Sequence, residues 1–206
     1  MTSEQQPISK RIDNIVRNGL HPHLQRLGFR KRGRTFRRQC ERHWEIVSVS
    51  GGQHNTNLDD GSIGSFGIEL GIHFPPVFAI DGVELTREPG IHECYVCDGL
   101  ALSGHAGFFD DFEGNDPTVE ERTQMVSDAW SEQGEEWFAA LSDYSAAYQW
   151  LRDRETWRES MYFAIYLNDK AGAAEALNHC RRAWGGLLLE HIEAIAARHG
   201  VVADKG

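Results

Sequence analysis

The strongest fold signal in the chain is the alternation of apolar residues with small or polar ones in the segment SFGIELGIHFPP. The apolar members occupy every second position: Phe66, Ile68, Leu70, Ile72 and Phe74. A strand turns successive side chains to opposite faces, so this period predicts a β-strand with one buried face. Two prolines follow, and proline cannot donate to a strand ladder. A sheet with one buried face is typically antiparallel.

Further strands are predicted on both sides of this segment. Residues 34–40 alternate in the same way, and residues 43–50 are rich in β-branched side chains. The short connection between these two segments predicts a hairpin. Residues 92–97 predict one more short strand. The sequence therefore predicts an antiparallel meander of about four strands, contained within residues 34–97.

Helical periodicity flanks the predicted sheet. Apolar residues recur at helical spacing within residues 1–28, with Gly28 suited to end the helix, and again within residues 117–200. The predicted fold class is α+β, with an N-terminal helix, the β-meander, and a helical C-terminal half packed on the sheet. A length of 206 residues suits one domain, so we expect a single domain over residues 1–206.

Composition favours a globular protein of the cytoplasm. Apolar residues make up 40% of the chain and charged residues 25%, which is typical of folded domains. No apolar run approaches the roughly 20 residues of a membrane span. The first residues contain no apolar stretch typical of a secretory signal. The four cysteines form no disulfide framework, so we expect a reducing cytoplasm. From the lack of a long apolar run we also expect no membrane association.

The segment LGFRKRGRTFRR places six basic residues among twelve, in a chain with a formal net charge of −10. Its candidate binding residues are Arg34, Arg37 and Arg38. Guanidinium groups suit phosphate, an acidic protein partner would be bound equally well, and charges on an edge strand also discourage unwanted pairing. Acidic residues dominate residues 108–160, so the two regions can also neutralise each other. The sequence leaves these alternatives open.

Three segments together resemble a known bacterial family. They are HPHLQRLGF, RKRGRTFRR and SFGIELGIHFPP, in roughly the first half of the chain. This combination is similar to the family called domain of unknown function 4304, with a proline inside the first helix, a Gly-Phe helix end and a Phe-x-x-x-Leu-Gly strand. The matching positions are Pro22, Leu27, Gly28, Phe29, Lys31, Gly33, Phe36, Phe66, Leu70 and Gly71. The resemblance implies a fold and a bacterial origin, and it implies no activity.

Glu69 and His73 are the candidate catalytic residues. Both lie on the face of the predicted strand opposite its apolar residues, about 13 Å apart along the strand. Together with Arg37 or Arg38 of a neighbouring strand, they would suit a phosphate or carboxylate ligand, or phosphodiester hydrolysis. The alternative is a solvated sheet face with an ordinary Glu–Arg pair across two strands.

The segment HECYVC contains the candidate metal ligands His92, Cys94 and Cys97, with His105 further along the chain. Two thiolates and a histidine can bind Zn²⁺. Strong zinc signatures contain two ligand pairs, however, and residues three apart on a strand point to opposite faces. We therefore predict no metal and no cofactor.

The sequence favours a non-enzymatic protein that binds another protein or acts as an accessory to it, with an immunity-type or regulatory role within that class. The alternative is an enzyme that acts on a phosphate ligand or processes nucleic acid, using Glu69, His73 and the arginines. A net charge of −10 disfavours nucleic acid as a partner without excluding it. The sequence does not decide whether the protein is an enzyme, although its motifs weigh against catalysis. It predicts no oligomeric state.

Overall fold

A computed structural model describes residues 7–51, 64–102, 108–109 and 118–202 of the chain. The strands are β1 (Arg30–Arg32), β2 (Thr35–Gln39), β3 (Trp44–Gly51), β4 (Gly64–His73), β5 (Val96–Gly99) and β6 (Phe108–Phe109). The helices are α1 (Ile8–Ile15), α2 (His21–Arg26), α3 (Pro75–Phe78), α4 (Val119–Ala129), α5 (Glu135–Leu141), α6 (Tyr144–Asp153), α7 (Trp157–Tyr166), α8 (Lys170–Ala183) and α9 (Gly186–Arg198).

The predicted fold class is confirmed: the chain is α+β, with an N-terminal helix, an antiparallel sheet and a helical C-terminal half. Over the described residues the sheet has six strands, in the order β1-β2-β3-β4-β5, and β6 pairs with β4. The longest strand is β4, where the sequence shows its clearest alternation. Its apolar side chains from Phe66 to Ile72 are buried.

The sheet has two more strands than the four that the sequence predicts, because Arg30–Arg32 forms β1 and Phe108–Phe109 forms β6. β1 pairs antiparallel with β2, and the turn between them consists of Gly33 and Arg34 alone. Gly33 has a φ of +64°, which glycine adopts readily and which tight hairpin turns require.

The strand predicted over residues 92–97 is wrong in its first part. Ile91–Glu93 is a 3₁₀ turn, and β5 begins only at Val96. The Glu93 carboxylate accepts a hydrogen bond from the Gly90 N–H at 2.6 Å, and the Glu93 N–H donates to the Gly90 carbonyl at 3.1 Å. These reciprocal bonds stabilise a turn at a position where the residue types alone suggest a strand.

The first helix continues past the Asn18-Gly19 pair and Pro22. A π-helical turn (Val16–Leu20) joins α1 to α2 around the Asn-Gly pair. Gly28 then ends α2 with a φ of +83°. The Gly28 N–H donates to the Gln25 carbonyl at 3.1 Å and the Phe29 N–H to the Leu24 carbonyl at 3.0 Å. This pair of bonds is a Schellman motif, so the predicted role of Gly28 is confirmed.

The chain divides into two compact units. The first contains residues 1–71 and 97–138, and the second residues 72–96 and 139–206. Two compact packing units can belong to one domain, so the single-domain organisation stays a prediction. In the residues that the structure describes, no helix is long and apolar enough to cross a membrane.

Each unit has its own aromatic core. In the first unit, Phe29 lies against Trp130 and Phe138, with ring centroids 6.5 Å and 5.9 Å away. In the second unit, Phe74 contacts Phe163 edge-on at 5.2 Å and Tyr144 at 4.7 Å. Such tilted aromatic pairs stabilise a core beyond the area that they bury.

Gly19 permits a close approach within the first unit. A Cβ atom at this buried position would lie 2.5 Å from the Thr123 carbonyl oxygen in α4. We expect Gly19→Ala to lower the free energy of unfolding by about 1–3 kcal/mol, because backbone must move to make room. Urea unfolding followed by circular dichroism measures this change. The matched control is Gly67→Ala, where a Cβ meets nothing within 4 Å. A Gly19→Ala protein as stable as the control would contradict the close packing.

Candidate functional site

The basic segment forms one hairpin, made of β1, the Gly33–Arg34 turn and β2. We call residues 30–39 the basic hairpin. Arg30 lies opposite Arg37, and Lys31 lies opposite Phe36. Phe36 is fully buried, whereas all three residues of β1 are exposed. The alternation of β2 therefore separates an apolar core position from the cations beside it.

Arg34 connects the turn of the basic hairpin to α1 through two hydrogen bonds. Its Nε donates to Asp13 Oδ1 at 2.8 Å, and its Nη2 donates to the Ser9 carbonyl at 2.7 Å. Roughly half of the Asp13 side chain is exposed, so this ion pair contributes little to stability. It does fix where the turn lies.

Arg38 links three parts of the first unit. Its Nε donates to Glu45 Oε2 on β3 at 2.6 Å, and Nη2 contacts the same oxygen. Its Nη1 donates to the carbonyl of Leu27 at the end of α2 at 2.9 Å. The guanidinium also lies over the Phe29 ring, 4.8 Å from its centroid. One side chain thus joins β2, β3 and the helix terminus, a set of roles that suits the planar guanidinium.

Glu45 is a buried carboxylate, with only 5% of its side chain exposed. Burial raises the pKa of this carboxyl, but hydrogen bonds and charge from His43 and Arg38 outweigh burial, so the pKa lies below its usual value. His43 Nε2 lies 3.4 Å from Glu45 Oε1, the oxygen that Arg38 leaves available. The side chain of Glu45 is therefore ionised and held from two sides.

Cys40 lies beside the same carboxylate. Burial, followed by the nearby charge of Glu45, raises the pKa of the Cys40 thiol. The thiol Sγ, one imidazole nitrogen of His43 and a carboxylate oxygen of Glu45 all lie within 4.8 Å of one another. We call these three side chains the donor cluster. It is the one such group of possible metal ligands in the described part of the chain.

The candidate catalytic residues have different environments. Glu69 is exposed on β4, whereas His73 is buried at the end of that strand. His73 Nδ1 lies 2.7 Å from the Glu93 carbonyl oxygen, and its ring packs against Phe78 with centroids 4.9 Å apart. Burial lowers the pKa of His73, and the contact with the carbonyl only partly offsets this. His73 is thereby a neutral histidine in the core of the second unit.

The candidate metal ligands near residue 94 also differ in exposure. His92 is largely exposed, Cys94 is buried with its thiol directed at the Gly90 carbonyl 3.6 Å away, and Cys97 is exposed on β5. None of the three belongs to the donor cluster found among the described residues. His105 lies outside the described residues.

A further polar cluster in the second unit centres on Asp81. Its Oδ1 accepts hydrogen bonds from Tyr162 at 3.3 Å and from His191 at 2.7 Å, and its Oδ2 accepts one from Tyr95 at 3.3 Å. Burial, and then the charge of Asp81, raises the pKa of both tyrosines, so they remain protonated donors. The cluster joins the loop before β5 to α7 and α9.

No protein-family model, curated protein or solved structure matches this chain. The resemblance to the domain of unknown function 4304 family therefore stays a prediction.

The basic hairpin places the three candidate binding arginines in distinct positions. Arg34 and Arg38 make the contacts described above, and Arg37 is half-buried opposite Arg30. The exposed cations of β1, Arg30 to Arg32, are not among the binding residues predicted from the sequence, because the alternating pattern begins only at residue 34. The glycine at residue 33 was the available signal, since Gly at a two-residue hairpin turn predicts strands on both sides.

The donor cluster was also missed, although its spacing is legible. Cys-x-x-His spans the hairpin turn, and Glu45 follows His43 by two residues, a spacing that returns to the same side of an extended segment. The Asp81 cluster has no such signal, because its four members are spread over 110 residues of sequence between Asp81 and His191.

We expect Arg38→Met to lower the free energy of unfolding by about 2–4 kcal/mol, because it leaves the buried Glu45 carboxylate without its cation. Arg38→Lys keeps the charge and loses the forked geometry, so it should be less destabilised. Urea unfolding at neutral pH measures both. An Arg38→Met protein as stable as the parent would show that the pair contributes nothing.

The variant Glu45→Gln tests how the stability contributed by the Glu45 carboxylate depends on pH. A carboxyl whose pKa is lower in the folded state contributes stability above its unfolded pKa and loses it as pH falls through the folded value. The stability difference between parent and Glu45→Gln should therefore be largest near neutral pH and shrink below about pH 4.5. A difference that stays constant between about pH 7 and pH 3 would contradict the lowered pKa of Glu45.

Proposed function

We propose that this chain is a bacterial cytoplasmic accessory protein that binds an acidic segment of a protein partner through the basic hairpin. The observation that carries this proposal is the row of three exposed cations, Arg30, Lys31 and Arg32, on the terminal strand of the sheet. An immunity-type or regulatory role falls within this class. The cytoplasmic setting rests on cysteine usage, and the bacterial origin rests on the family resemblance.

The position of β1 supports recognition of an extended peptide. β1 is at the end of the strand order over the described residues and pairs with β2. A terminal strand presents backbone donors and acceptors to an added strand, and alternate side chains then select the sequence that binds. Arg30 and Arg32 lie on one face of β1 and Lys31 on the other, so both faces of an added strand would meet a cation.

The concentration of positive charge in the hairpin also favours an anionic partner. Arg30 and Arg37 are directly opposite across β1 and β2. The chain as a whole has a formal net charge of −10, so the basic hairpin is a local reversal of sign.

A protein partner fits the hairpin better than nucleic acid does. Proteins that bind single strands combine cations with exposed aromatic side chains on which bases stack. The aromatic residues of this region, Phe29 and Phe36, are buried in the core. A strongly acidic chain also repels a long phosphate polymer beyond the immediate contact.

The alternative enzymatic function receives less support from the site. It depends on Glu69 and His73 as a catalytic pair, and His73 is buried with its Nδ1 against the Glu93 carbonyl. A general base must reach the proton of its substrate. Of the two residues, Glu69 is exposed on β4 and His73 is not accessible to a substrate.

The proposal predicts that the protein binds a fluorescently labelled peptide of alternating glutamate and valine, measured by fluorescence anisotropy at low salt. The triple variant Arg30→Gln, Lys31→Gln, Arg32→Gln should weaken binding by about tenfold or more. Added salt should weaken the binding of the parent, because the contacts are exposed.

Two controls make the experiment specific. Lys10→Gln, Arg17→Gln, Lys170→Gln removes the same charge from exposed positions outside the hairpin and should retain binding. A peptide with glutamine in place of glutamate should bind poorly. Equal weakening in both triple variants would refute the hairpin as the site. Tighter binding of a single-stranded RNA of equal charge would replace the protein partner with nucleic acid.

A further inference from the structure

The hairpin between β2 and β3 brings three different metal-binding groups together. Gln39 pairs with Trp44, so the connection consists of residues 40–43, and the Cys40 N–H donates to the His43 carbonyl at 2.9 Å. This turn brings Cys40 close to His43. Glu45 lies two residues further along, where a strand returns to the same face.

We propose that the donor cluster, Cys40, His43 and Glu45, is a Zn²⁺ site with three protein ligands. The site is separate from the acidic-peptide function proposed above and does not depend on it. Three ligands leave a fourth tetrahedral position for water or another small ligand, as in zinc sites that do not close around the ion. Cys40 is half-buried, which gives the ion a route from solvent.

The donor distances suit a tetrahedral ion. Zn–N and Zn–O bonds of about 2.0–2.2 Å imply a separation of roughly 3.3 Å between two ligand atoms. His43 Nε2 and Glu45 Oε1 lie 3.4 Å apart, which is long for a hydrogen bond and close to that separation. No pair in the donor cluster exceeds 4.8 Å. With a Zn–S bond of about 2.3 Å, the sulfur must move inward by about 1.3 Å at most.

Arg38 orients the carboxylate for this role. It holds Oε2 of Glu45, and Oε1 is the oxygen directed at His43. Ligand carboxylates in metal sites are generally held by a hydrogen bond of this kind, which fixes their orientation. The thiolate and carboxylate together neutralise the 2+ charge of the ion, and Arg38 remains outside the coordination sphere as the carboxylate's partner.

The combination of ligands favours Zn²⁺ over Mg²⁺ and Ca²⁺. Thiolate and imidazole are ligands of Zn²⁺ and are poor ligands of Mg²⁺ and Ca²⁺, which require oxygen. Binding forms one Zn–S, one Zn–N and one Zn–O bond, and the Cys40 thiol releases its proton to solvent. No electron is transferred, so no oxidant or reductant is needed.

Titration of the full chain with Co²⁺ tests the site, because Co²⁺ replaces Zn²⁺ in tetrahedral sites and reports a bound thiolate by charge-transfer absorption. We expect one Co²⁺ per chain, with a thiolate band that added Zn²⁺ removes. Cys40→Ser should abolish the band, and both Cys40→Ser and His43→Gln should weaken Zn²⁺ binding by more than about tenfold. Calorimetry with Zn²⁺ measures the affinities.

Cys97→Ser is the matched control, since it removes an exposed cysteine that is not part of the donor cluster. It should keep both the band and the affinity. Circular dichroism establishes that each variant is folded, and His43→Gln supplies a second test if Cys40→Ser is not. Absence of the band in the parent protein, its persistence in folded Cys40→Ser, or its loss in Cys97→Ser would each overturn the proposal.

Discussion

The ion pair between Arg38 and Glu45 is the interaction on which the first unit depends most. A carboxylate as buried as Glu45 loses its hydration, and it remains charged only because Arg38 and His43 replace the water. Arg38 in turn donates to the last turn of α2 and lies over Phe29. Two strands, a helix end and an aromatic core are therefore positioned by one guanidinium.

The parts of the fold that were predictable are those in which local residue types and tertiary contacts agree. The alternation of β4 reports its burial directly, and Gly28 ends α2 because the left-handed conformation is strained for other residues. The prediction is wrong where a side chain closes a turn. Glu93 bonds back to the Gly90 N–H and replaces the first part of a strand with a 3₁₀ turn. Periodicity carries no information about such a bond.

Candidate sites are likewise predictable only where their residues are close together in the sequence. The donor cluster lies within six residues of sequence, and hairpin geometry makes its spacing interpretable. The Asp81 cluster is assembled from the loop before β5, α7 and α9, so only tertiary structure brings its members together. For Glu69 and His73, the sequence suggests a common environment that the structure does not have. The two residues are expected on one strand face, yet Glu69 is exposed and His73 is buried beside Phe78.

The arginines of the basic hairpin have more than one role. Arg34 and Arg38 have short contacts that position the turn and the helix end, and those contacts account for their presence. Lys31 and Arg32 are exposed on the terminal strand, and the Lys31 ammonium lies over the Phe36 ring, 5.6 Å from its centroid. Charge on an edge strand discourages unwanted pairing. The continuous row of cations on β1 also complements the acidic segment that we propose as its partner.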